Sequence, residues 1–252
     1  MRKSYRELTE EIKTDGERLK LIAALGSSDD LAYHYALISE DWAAGGTLML
    51  ENSFDRHGEA GIVFLLERLR AFGAASKTDA SAAAGTATGT GAYTDTAYLA
   101  AKILSQLRHR DFYAARAKEL AALLTARWEI SDIALRRKQI IALGWIGSEA
   151  EVDVLIRTMQ GDTDALCRAW AAAALMQLSF HAVDAAFLRE RTKTAFAEAI
   201  QKEGDLNAAG IMIEAAQTLF GKKWISAAAA EAAESESIEK ARKSALRFLG
   251  KA

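Results

Sequence analysis

The chain has 252 residues, a formal charge of -2, no proline and one cysteine. Half of it is hydrophobic and 26% charged, enough apolar material for a sizeable core in a water-soluble protein. The missing basic excess argues against a protein that lives on nucleic acid, and a lone cysteine excludes an internal disulfide.

Without proline, helices are favoured throughout, because β-rich folds commonly use proline in their turns. The opening MRKSYRELTEEIK is charged along its length and lacks the apolar core of a secretory signal. No apolar run approaches the roughly 18 residues of a membrane span, so a cytoplasmic location is expected. In residues 17–30, Arg18 leads to Leu25-Gly26. Helix-like stretches follow near 58–72, 94–107 and 114–127. Between the first two, residues 73–95 (GAASKTDASAAAGTATGTGAYTD) are Gly, Ala, Ser and Thr with little to bury, and read as a flexible low-complexity insertion outside any helix.

The next stretch says something twice. Arg136 and Arg168 are 32 residues apart, and so are Leu143 and Leu175. In the first copy, Leu135, Ile140, Ile141, Leu143 and Ile146 lie close to a helical stripe. Gly147-Ser148 breaks it, Ser148 with Glu151 forms a capping-box pattern, and Val152, Leu155, Ile156 and Met159 make the next helix amphipathic. Asp162 or Asp164 is positioned to cap the helix after that. Further helix-like stretches follow at 183–201 and 208–220, and Arg242 leads to Leu249-Gly250 as Arg18 led to Leu25-Gly26.

DIALRRKQIIALGWIGS and DTDALCRAWAAAALMQL resemble the HEAT repeats of bacterial type, also seen in phycobilisome-lyase-like proteins. The residues that carry the resemblance are Asp132, Arg136, Ala142, Leu143, Gly144 and Gly147, then Asp162, Asp164, Arg168, Ala174 and Leu175. Met176, where Gly is common, and Ala165, where Pro is frequent, depart from it. The resemblance implies an all-α, right-handed α-solenoid of about five or six helix pairs over residues 1–252, irregular in its early repeats. It also implies that the second helices line a concave face.

Motifs for chemistry are missing. His34, His57, His109 and His181 have no metal-ligand spacing, so no metal site is expected. His109-Arg110-Asp111 shares its letters with a kinase catalytic loop but lacks the downstream Asn. GTATGTG in residues 85–91 has no strand before it and no P-loop Lys. Cys167, beside Arg168, falls at an apolar position of the repeat and reads as an inert buried thiol. Trp170 replaces a small residue and is expected to fill space between layers.

The expected function is therefore a non-catalytic, protein-binding scaffold or adaptor without a cofactor, its oligomeric state left open. Partner-binding candidates on the second helices are Asp153 and Arg157, then Glu190 and Lys193, which lie opposite Leu188, Thr192, Ala195 and Ala199. Trp145, at a helix end, is a candidate anchor. Two alternatives stand beside this: an immunity protein that binds a toxin, and a DNA glycosylase resembling the HEAT-like alkylpurine type. The second rests on Trp128, Asp132 and Arg136 at i, i+4, i+8 of one continuous helix. A bilin lyase is a third reading that no residue favours.

Overall fold

The computed structural model describes residues 2–78 and 87–250, with side chains for 2–72 and 90–250. Among them are α1 (Tyr5–Glu11), α2 (Asp15–Gly26), α3 (Leu31–Ala43), α4 (Gly58–Thr78), α5 (Ala87–Gln106), α6 (Tyr113–Thr125) and α7 (Ile133–Ile146). Then follow α8 (Val152–Gly161), α9 (Ala165–Leu178), α10 (Ala185–Lys202), α11 (Leu206–Leu219), α12 (Ala227–Glu231) and α13 (Ser235–Leu249). Two 3-10 segments, Leu50–His57 and Glu149–Glu151, complete the list, and the described residues include no strand. The fold is the all-α solenoid expected from the sequence.

Helix starts are set by the residues named above. Asp132 accepts from Leu135 N and Asp164 from Cys167 N, while Ser148 and Glu151 close the capping box. Such caps satisfy backbone N–H groups that the first turn leaves open, each worth about 1 kcal/mol. Of the two acidic candidates before α9, Asp164 is the cap. Asp162 instead takes a bidentate ion pair from Arg136, at 2.8 and 2.9 Å. Arg168 repeats this one unit on, gripping Glu203 at 2.7 and 2.8 Å. Arg242 donates to the carbonyls of Ile200 and Glu203. Arg136 and Arg168 thus each tie a first helix to the turn that opens the next unit, whereas Arg242 of α13 reaches back to the turn between α10 and α11.

Two layers result. First helices α5, α7, α9 and α11 pack in succession, and behind them α8 packs on α10 and α10 on α13. Ile140, Leu143, Leu155, Leu175, Leu188, Phe196 and Ile213 are fully buried between them. The α7–α9 crossing is close because Gly144 has no side chain: a Cβ there would lie 2.7 Å from Gln177 Oε1 and 3.0 Å from Ala174. Leu188, Thr192, Ala195 and Ala199 line the buried side of α10, as the stripe predicts.

The early part is irregular, as expected. Leu50–His57 is a 3-10 segment entered through Met49 in the left-handed region (φ 55) and left through Gly58 (φ 56). Three expectations change. The ends of the insertion placed at 73–95 are helical, because α4 continues to Thr78 and α5 starts at Ala87. Tyr93 and Thr94 are buried, the Tyr93 hydroxyl donating to Leu123 O, so Tyr93 anchors α5 on α6. Residues 79–86, the middle of that insertion, lie outside the described residues. Trp170 is not interlayer filling but an exposed outer residue of α9, at 38%. And α6 ends at Thr125 while α7 starts at Ile133, with Asp132 extended between them, so Trp128, Asp132 and Arg136 share no continuous helix.

Candidate partner-binding groove

In the second layer α8, α10 and α13 pack on one another, but α6 and α8 stand apart. The gap is a groove of about 1200 Å³. Alanines make it possible: Ala114, Ala117 and Ala121 recur at i, i+3, i+7 and give α6 a low wall. Val154 on α8 and Ile146 at the end of α7 face it. Trp128, in the loop after α6, spans the gap and donates from Nε1 to Thr158 Oγ1 on α8 at 3.2 Å. Thr158 in turn donates to Val154 O, so its hydroxyl is fully engaged.

His181 lines the same groove. Its Nε2 lies 3.0 Å from Gly144 O, a carbonyl that can only accept, which fixes the proton on Nε2. Nδ1 is buried without a partner among the described residues, and burial, ahead of the neighbouring Arg108 charge, pushes the imidazole pKa down. The ring is neutral at pH 7. The hydroxyl–carboxylate pair here, Ser148 with Glu151, is the capping box already described, its oxygens held by backbone N–H groups. Cys167 is fully buried, and burial pushes its thiol up to about 11, which keeps it protonated and unreactive.

The sequence candidates divide. Asp153 and Arg157 both line the groove, on the outward side of α8. Asp153 bonds Arg191 of α10 at 2.7 Å, with both side chains more than half exposed. Glu190 and Lys193 sit on α10, the neighbouring helix, Glu190 exposed and Lys193 half-buried. Trp145 belongs elsewhere. It is half-buried at the end of α7 against Tyr98 of α5, ring centroids 5.1 Å apart, and its carbonyl accepts from Arg108. That places it in the first layer, with Tyr98 also against Trp42. Sequence reasoning missed Lys118, Trp128 and His181 as groove residues. The signal for α6 was present in its alanine spacing, but a gap between two helices is a property of their packing.

His34 and His57, 23 residues apart, meet in the early part of the molecule: His34 Nδ1 lies 2.8 Å from His57 Nε2, and His34 Nε2 is 3.0 Å from Leu50 O. The described residues contain no group of three or more side chains suited to a metal ion. No described helix is long and apolar enough to cross a membrane.

Residues 90–176 match a family model described as HEAT repeats. The match runs from the first turns of α5 nearly to the end of α9, the stretch that holds most of the groove lining together with Arg136 and Arg168. No curated protein and no solved structure matches the chain.

Proposed function

We propose that the chain is a non-catalytic protein-binding scaffold whose partner seats on the second-helix face, centred on the α6–α8 groove. The carrying observation is the break in the second layer: a groove with an apolar floor and charged rims, most of its lining in the stretch that matches HEAT repeats. Repeat stacks offer long, rigid surfaces suited to gripping another macromolecule. An exposed apolar groove with a polar rim has the anatomy of an interface core and its surround. The glycosylase alternative loses its geometric support, because Asp132 is a helix cap and Arg136 is held by Asp162 in a bidentate pair.

The test is a double charge reversal, Asp153→Lys with Arg157→Glu. Both side chains are exposed, so thermal unfolding should be unchanged. A stoichiometric partner recovered from the native lysate by the parent chain should bind the variant at least about tenfold more weakly. Equal affinity rejects this placement of the surface.

A further inference from the structure

The charges lining the groove are unequally occupied. Its carboxylates are mostly engaged within the chain: Glu151 accepts from Ser148 N and Oγ, Asp153 from Arg191, and Asp162 from Arg136. Glu129, at one end, is the exception. The two cations, Lys118 on α6 and Arg157 on α8, are exposed and make no hydrogen bond or ion pair among the described residues. They stand one on each wall. Each wall of the groove therefore carries one exposed cation without a carboxylate partner among the described residues, while Glu129 sits at one end and Glu151 is buried in its capping box.

The floor fixes the shape of what fits. Alanines along α6 let a helix axis approach to about 8 Å, the short end of the normal helix–helix range. Elsewhere in the second layer this space is filled by the neighbouring helix of the stack, α10 on α8 and α13 on α10. α8 is 10 residues long, about 15 Å, which matches a helix of about three turns lying beside it.

We propose that the α6–α8 groove receives an acidic amphipathic helix of a partner protein, its apolar face on Ala114, Ala122 and Val154 and its carboxylates on Lys118 and Arg157. This rests on the protein-binding reading above and names the partner's docking element. The helix supplies the missing neighbour in the second layer. Its flanking carboxylates neutralise cations that meet no carboxylate among the described residues, which gives the interaction its sign.

The experiment is selection of a displayed library of helix-favouring peptides, about 14 residues long with randomised charge, on the full chain. The enriched peptides should carry carboxylates on both flanks of an Ala/Leu stripe, and their binding should weaken with salt. Lys118→Glu should weaken them about tenfold, and basic versions of the same peptides should regain affinity for that variant. Ala122→Trp, at an exposed position on the groove wall, should block both sets; circular dichroism and thermal unfolding check that each variant folds. Enrichment of neutral or basic peptides, or acidic peptides indifferent to Ala122→Trp, overturns the proposal. So does duplex DNA binding that is lost in the same variants. Failure to enrich any binder also overturns the helical occupant, whereas the protein-binding reading falls only with the partner-recovery test of Asp153 and Arg157.

Discussion

The stack from α7 to α13 and the cap formed by α1 to α4 bury polar groups by different means. In the stack the same bond recurs: an arginine of a first helix reaches a carboxylate at the next turn, Arg136 to Asp162 and Arg168 to Glu203. In the cap each buried polar contact occurs once. Asp41, fully buried, accepts from the Tyr5 hydroxyl at 2.9 Å and from Leu48 N and Leu50 N at 3.0 and 3.4 Å. Ser53 donates to Ile22 O, the Tyr35 hydroxyl meets Thr96 Oγ1, and Lys102 of α5 holds Glu51. His34 holds Leu50 O and His57. A repeated bond makes the stack's layers interchangeable in kind. The unrepeated bonds fit the cap to one shape, including a left-handed Met49 at the entry to residues 50–57.

The largest expected effect strikes the stack. Arg168→Ala leaves Glu203, whose side chain is 1% exposed, without its guanidinium and should lower unfolding free energy by about 3 kcal/mol in denaturant titration. Burial alone would raise the Glu203 pKa, but the Arg168 bonds and nearby backbone N–H groups bring it below its ordinary value. Arg168→Ala with Glu203→Ala should recover part of the loss; a double variant no better than the single would mean the pair is not the stack's fastener. Next, Asp41→Ala in the cap strands two buried N–H groups and should cost about 2 kcal/mol. Hydrogen exchange should show the loss confined to α1–α3 and residues 50–57, and a uniform loss would erase the distinction between the regions.

Acid should separate the regions without mutation. Burial is the main cause lowering the pKa of both His34 and His57, opposed at His57 by Asp55 and Asp29. Unfolded histidines take a proton near 6.5, so below that pH the unfolded cap binds more protons and the cap loses stability as pH falls. Above 6.5 that stability is complete. Asp164 in the stack works in another window: its carboxyl is held at about 2, chiefly by Arg137, so its contribution is full above 3.8 and lost as pH falls through 2. His181 adds one group of the first kind to the stack. Exchange of α3 amides should therefore rise between about pH 6.5 and 5 before that of α9, and His57→Gln should shrink the difference. Simultaneous loss would refute it. The smallest effect is Asp132→Ala, about 1 kcal/mol for one cap, with exchange changing at the start of α7 alone.

This division also explains how far the sequence could be read. Caps, breaks and buried stripes of the stack are local, so the expected helices at 114–127, 183–201 and 208–220 lie within a few residues of α6, α10 and α11. Trp170 was readable too: the position 32 residues earlier in the same register is Lys138, a residue that could not fill a buried layer. The His34–His57 contact and the Asp41 hub join segments without a shared period, and no local pattern announces them. The groove was half legible. Asp153 and Arg157 follow from the α8 stripe, whereas its other wall depends on how far α6 stands from α8. Trp145 was placed with them because it ends a helix, but that end turns toward α5.

The reach of Arg136 to Asp162, and of Arg168 to Glu203, sets a rule for anyone who would lengthen or shorten this protein. Each fastener starts in a first helix and ends beyond the second, at the threshold of the following unit. A segment excised by helix boundaries, from Ile133 to Gly161, would carry the arginine and leave its carboxylate behind. The transplantable module is one turn longer than the helix pair, running through Asp162 and stopping before Asp164, the cap that belongs to its successor.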